Sequence, residues 1–167
     1  MIKDIKSQTC CFTGHRVIPQ GEEAKILARV KSRIDKLISD EVLYFGVGGA
    51  LGFDTMMAEY LIERRKRNSR IKIIEVLPFP EYRSKWTEEQ KQRASVIDAQ
   101  MDKIVYYYDK SSREAYLGRD RHLVDCSTYC ISYCTKNTGG TAYTVRYAMK
   151  KGLSVWNMSS FDIKSLK

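Results

Sequence analysis

Six short apolar runs punctuate the chain: TCCFTG (9–14), VLYFGV (42–47), IKIIEVLPF (71–79), KIVYYY (103–108), YCISYC (129–134) and LSVWNM (153–158). They are continuous rather than alternating, which marks strands covered on both faces. Between them the apolar period changes to that of a helix. Ile26, Val30, Ile34 and Leu37 share one face of a helix predicted over Glu22–Ser39. Met57, Tyr60 and Leu61 do the same over Asp54–Arg67, and Ala94, Ile97 and Met101 over Thr87–Met101. RDRHLVDCS (119–127) reads as a further helix, and GGTAYTVRYAMKKG (139–152) as a loop, a helix and a terminating glycine. Strands alternating with helices require right-handed crossovers. The expected fold is therefore α/β: a three-layer Rossmann-like arrangement, a mostly parallel sheet with helices on both faces. No repeat or linker divides it, so residues 1–167 are expected to form one domain.

A sheet of this kind binds ligands beyond the carboxyl ends of its strands. The loops there are TGHR (13–16), GVGGALGFD (46–54), PFPEYRSKW (78–86), the segment after Tyr108 and TKNTGGT (135–141). Gly48, Gly49 and Gly52 lead into a helix, and so do Gly139 and Gly140 before Thr141. Bare N–H groups at a helix start attract anions, because the first-turn donors lack partners and the dipole favours negative charge. The same glycines also suit tight turns. The spacing G-G-x-x-G differs from the dinucleotide fingerprint G-x-G-x-x-G. Asp54 either accepts hydroxyls of a sugar or favours the helix start through the dipole. Thr138, Thr141 and Thr144 supply hydroxyls for capping or for a ligand. Two such helix starts in one chain point to a nucleotide-like ligand.

Gly14, His15 and Arg16 follow the first strand. Arg16 has the planar, permanently charged fork that suits phosphate. His15 is either a general base or a hydrogen-bonded structural group. Arg119 to His122 add cations at another strand–helix loop, where they either serve a ligand, Arg119 first, or form a solvated helix entrance. RRKRNSRIK (64–72) is the densest basic run; it reads as a helix end favoured by the dipole, with nucleic-acid contact as the alternative. Tyr106, Tyr107 and Tyr108 are assigned to a strand rather than to a base-stacking platform.

The chain carries a net charge of +9, which suits a basic surface, a phosphate ligand or nucleic acid. Its five cysteines lack a secreted framework. Cys126, Cys130 and Cys134 recur every four residues without the paired spacing of zinc ligands, so they read as small core residues, and no metal is expected. The opening MIKDIKSQ is polar and no run is long enough to span a bilayer. A cytoplasmic protein without membrane contact is expected.

Taken in order, CFTGHR, GGALGFDTMMAE, LPFPEYRSKW, RDRHLVDCS and NTGGTAYTVRYAMKKG resemble the YpsA-like branch of the SLOG superfamily. That superfamily joins the Smf/DprA DNA-processing proteins and the Lonely-guy phosphoribohydrolases. The likeness runs from about Thr9 to Trp156. It implies a Rossmann-like fold and a cleft for nucleotide-derived ligands of the ADP-ribose or NAD kind, with no required cofactor. Related SLOG domains act as sensors of such ligands, sometimes beside defence effectors, and YpsA-like proteins are linked to bacterial division and stress. By motif matching, Gly48, Gly49, Gly52 and Asp54 fill the first glycine signature, and Gly139, Gly140 and Thr141 the second. Gly14, His15 and Arg16 match the opening loop, while Arg119, Arg121 and Asp125 fall in the central motif. Relatives are often dimers, which implies a homodimer here.

The phosphoribohydrolases carry P-G-G-x-G-T-x-x-E. Thr144 stands at the glutamate position and Thr138 at the second glycine, and a hydroxyl cannot do the work of that carboxylate. The expected role is therefore a sensor or binding module. Cleavage of an N-glycosidic bond would fall to Asp54, Glu81 or His15. GGTAYTVRYAMKKG looks more like the corresponding DprA segment, which makes single-stranded DNA a further candidate partner.

Overall fold

The computed structural model describes residues 4–167; of the polar opening, residues 1–3 lie outside it. The strands are β1 (Thr9–Gly14), β2 (Tyr44–Val47), β3 (Lys72–Leu77), β4 (Lys103–Tyr106), β5 (Tyr129–Tyr133) and β6 (Ser154–Asn157). The helices are α1 (Glu23–Ser39), α2 (Phe53–Arg65), α3 (Glu88–Asp98), α4 (Arg113–Asp125) and α5 (Gly140–Lys150). The strands form one sheet in the order β4-β3-β2-β1-β5-β6, and every pairing is parallel.

Both faces are covered. On one, Ile26, Val30, Ile34 and Leu37 of α1 pack with Phe53, Met57 and Leu61 of α2 and Ile97 of α3 against Phe12, Phe45 and Ile73. On the other, Leu123 and Val124 of α4 and Ala148 of α5 meet Cys11, Val76 and Cys130. The three-layer architecture is thus the one the apolar runs demand.

Several boundaries differ from the sequence reading, each for a local reason. Helix α4 begins at Arg113 rather than near Arg119, because the Ser112 hydroxyl accepts from the Ala115 N–H (3.0 Å) and caps it there. Arg119 is therefore a mid-helix residue only 5% exposed, not part of a solvated entrance. Strand β4 stops at Tyr106; Tyr107 and Tyr108 lie beyond it, and all three rings are exposed. Cys130 and Cys134 are buried, whereas Cys126 caps the end of α4 and is exposed, so only two of those three cysteines belong to the core. Short 3-10 turns at Ile5–Gln8 and Ile163–Leu166 went unforeseen. The basic run at the end of α2 is tied into ion pairs, Arg65 with Asp102 (2.8 Å) and Arg70 with Glu41 (2.6 Å) among them.

Candidate functional site

The chain winds outward from β1 in both directions, so its topological switch lies between β1 and β5. A cavity of about 330 Å³ opens there, at the carboxyl ends of the strands, where such folds bind ligands. Gly14, His15 and Arg16 leave β1 into its wall. Gly48 enters from the end of β2, Asp54 from α2 and Arg119 from α4. Thr138, Gly139, Gly140 and Thr141 form the opposite wall at the start of α5. Gly49 and Gly52 are not part of it. They line a second cavity of about 330 Å³ between α2 and α3, and the two cavities share Arg16 and Asp54.

The two helix starts differ in kind. That of α2 is partly filled by the protein itself. The Ala50 N–H donates to Asp54 Oδ2 (3.2 Å), and the Phe53 N–H donates to the His15 carbonyl (3.1 Å). Gly52 sits at φ 76° and ψ −118°, and a Cβ there would strike the backbone carbonyls of His15 and Arg16. A Cβ on Gly48 would come within 2.8 Å of Asp54 Oδ2. These glycines let loops pack; of the first-turn amides of α2 that of Phe53 is taken, while those of Asp54 and Thr55 have no acceptor among the described residues.

The start of α5 is open. Gly139 needs its positive φ of 92° for the turn. Gly140 has a φ any residue tolerates, and nothing lies within 4 Å of the position its Cβ would take. The protein's own packing gives no reason for a glycine there. Among the described residues, no protein group accepts from the N–H groups of Gly140, Thr141 or Ala142, and the Lys136 side chain lines the same cavity. This is the anion-attracting geometry of an unblocked helix start.

Asp54 is 7% exposed, and its Oδ1 is buried without a partner among the described residues. Burial pushes its carboxyl up to about 6 against the pull of the Arg119 guanidinium. Arg119 in turn donates to the Gly48 carbonyl through Nη1 and to Asp120 Oδ1 through Nε (2.7 Å). It clamps α4 to the loop after β2.

His15 is committed to structure. Its Nε2 accepts from the Thr135 N–H (2.9 Å), tying the loop after β1 to the loop before α5, and burial lowers its pKa. Thr144 is buried, with its hydroxyl donating to the Gly140 carbonyl (2.9 Å). Glu81 lines neither cavity. Arg121 and Asp125 also stand outside: they join α4 to α5 through Tyr143 (2.9 Å) and Tyr147 (2.7 Å). Among the described residues, no group of three or more His, Cys, Asp or Glu could hold a metal, and no helix is long and apolar enough to cross a membrane.

The sequence reading passed over Glu75. This residue is wholly buried on β3, and its Oε1 accepts from Arg83 Nη2 (2.9 Å). Arg83 Nη1 bridges both carboxylate oxygens of Asp98 (2.9 and 2.7 Å). Burial, followed by the neighbouring Asp98, raises the Glu75 carboxyl from its ordinary 4.5 to about 8. An acid within the apolar run IIEVL was the visible signal, since a doubly covered strand leaves it no route to water.

The raised value has a thermodynamic consequence. Below about pH 4.5 Glu75 is protonated in both the folded and the unfolded chain. Above that the unfolded chain releases its proton first, so stability attributable to Glu75 falls as pH rises toward 8. Glu75→Gln should flatten the decline of melting temperature across that window. A variant as pH-dependent as the parent protein would show that Glu75 ionises normally.

The sequence model of the YspA SLOG family matches residues 19–165. A UPF0398 protein of Brevibacillus brevis is 24% identical over 150 residues, covering 86% of this chain and 80% of that one. Among solved structures, DNA processing protein A of Streptococcus pneumoniae superposes with a TM-score of 0.67 at 18% identity, covering 96% of this chain and 54% of that chain. The DNA processing protein A of Helicobacter pylori, solved for its single-stranded DNA binding mode, gives 0.64 at 16% identity, over 92% and 66%. The chain thus spans just over half the length of the first and about two thirds of the second.

Proposed function

This chain belongs to the YspA SLOG family, and we propose that it is a binding module for a nucleotide or nucleotide-derived small molecule. The observation that carries the reading is Gly140. Its missing side chain serves no contact within the protein, and it stands at an open helix start facing Asp54 across one cavity. A phosphate meets the α5 amides, Lys136 and Arg16. A sugar hydroxyl donates to the unpartnered Asp54 Oδ1, which answers a buried acceptor that is otherwise costly to leave unmet. Binding rather than cleavage is the better reading, because Thr144 is a hydroxyl turned onto its own helix.

Titration calorimetry with nucleoside monophosphates, NAD and ADP-ribose tests this. At least one should bind, and Gly140→Ala should weaken it about tenfold or more while leaving the fold as stable or slightly more so, since alanine favours a helix by roughly 0.5–1 kcal/mol over glycine. Silence across the panel from a folded protein defeats the proposal.

A second reading, single-stranded DNA, is favoured by the charge of +9 and by the likeness to a protein whose structure was solved for that binding. Fluorescence anisotropy at rising salt decides it. A phosphate-dominated mode must lose affinity steeply with salt.

A further inference from the structure

The second cavity is not explained by a phosphate and a sugar. It lies between α2 and α3, meets the first cavity at Arg16 and Asp54, and has Glu75, Arg83, Trp86 and Gln90 in its wall. Its polar groups are unusual in what they leave unmade. Glu75 Oε2, on a residue with no exposed surface, is a buried oxygen without a partner among the described residues. Arg83 Nε is a buried donor in the same condition. The two belong to one ion pair, held at 2.9 Å through other atoms of the same side chains. Natural proteins seldom leave such groups unanswered.

The chemistry of the cavity argues against a second anion. Of the cations in its wall, Arg83 is already paired with Glu75 and Asp98, and Arg93 with Glu59. The start of α3 is closed by a capping box in which the Thr87 hydroxyl accepts from the Gln90 N–H (3.1 Å) and the Gln90 side chain accepts from the Thr87 N–H (3.0 Å). What remains is two orphaned polar atoms, Arg83 Nε as a donor and, once Glu75 is ionised above about pH 8, its Oε2 as an acceptor, with the Trp86 ring nearby. That ring meets Tyr82 edge-on at 5.6 Å and lies 5.2 Å from the Arg83 guanidinium. A flat heterocycle carrying a donor next to an acceptor satisfies both orphaned atoms along its edge and offers its face to the indole. Every nucleobase has such an edge.

We propose that the second cavity is the base pocket of the nucleotide site: Glu75 and Arg83 read the base edge, Trp86 covers its face, and Asp54 holds the ribose where the two cavities meet. This rests on reading the first cavity as the phosphate and sugar site. The molecule would then lie across the carboxyl edge of the sheet, from the start of α5 to the gap between α2 and α3, passing over Gly48 and Gly49.

Calorimetry above about pH 8, where Glu75 is ionised, with ribose 5-phosphate beside the monophosphates of adenosine, guanosine, cytidine and uridine separates the two readings. Ribose 5-phosphate should bind, and at least one nucleotide should bind ten times tighter or more. Glu75→Gln replaces the orphaned acceptor with a donor while keeping the shape, and Trp86→Ala removes the ring. Each should abolish the nucleotide's advantage and leave ribose 5-phosphate unchanged. Because Glu75 is buried, Trp86→Ala and the comparison within the parent protein decide the matter if Glu75→Gln fails to fold. Four nucleotides no tighter than ribose 5-phosphate would overturn the base pocket and leave the phosphate site standing. An advantage that survives both substitutions would also overturn it. Silence from every probe would overturn both readings.

Discussion

Replacing Arg119 with methionine is expected to cost about 3 kcal/mol and to lower the melting temperature by roughly 6–12 °C in a chain of this size. Arg119 is 5% exposed and charged, and its partners come from three places: the Gly48 carbonyl after β2, Asp120 on its own helix, and the field of Asp54 on α2. Methionine fills similar space but returns nothing to these groups. Asp120 loses its ion pair and Asp54 the charge that opposes its protonation, so the carboxyl of Asp54 should rise further. The loop carrying Gly48 loses its anchor to α4, and the wall of the first cavity loosens. Thermal unfolding followed by circular dichroism is sufficient to test this. A fall of less than about 2 °C would mean that Arg119 is dispensable to the fold and that its burial has some other reason.

Gly52→Ala should be nearly as damaging, by a different route. At φ 76° and ψ −118° the residue occupies a region that L side chains rarely adopt, and such strain costs roughly 1–3 kcal/mol. The added methyl would also collide with the His15 and Arg16 carbonyls, which are backbone and can yield only if the whole loop after β1 moves. The Phe53-to-His15 hydrogen bond at the start of α2 would be lost with it. The expected result is a fall in melting temperature of several degrees together with loss of ligand affinity, because Arg16 is displaced from the cleft. Gly140→Ala provides the internal contrast: a glycine of the same apparent type that should tolerate alanine in folding and lose only binding. If both substitutions behave alike, the distinction between packing glycines and a binding glycine is wrong.

That distinction shows where a linear reading stops. The strands were legible because a parallel strand covered on both sides must be largely apolar, and CCF, YFGV and YCI are continuous runs of that kind. Helix α1 was legible from its four evenly spaced aliphatic residues. The start of α4 was not read, although Ser112 carries the usual capping side chain, because SSREAYLG has no apolar period and contains Gly118. Gly118 is there for Tyr107, whose ring would meet any side chain at that position. A reason that lies eleven residues away and across a helix leaves no local mark.

The candidate site divides along the same line. Pattern alone identifies an α/β chain, the loops at one end of its sheet, and a surplus of glycine and positive charge in them. Those are properties of neighbours in sequence, governed by dihedral preference and by which faces must avoid water. Whether a glycine makes room for the protein or for a guest depends on what stands opposite it, and that partner comes from a distant part of the chain. Only folding brings Asp54 to face the start of α5, ties the first amide of α2 to His15, and sets the Glu75–Arg83 pair in a cavity wall. These are matters of distance and solvent exclusion, which exist only once the chain is folded in three dimensions.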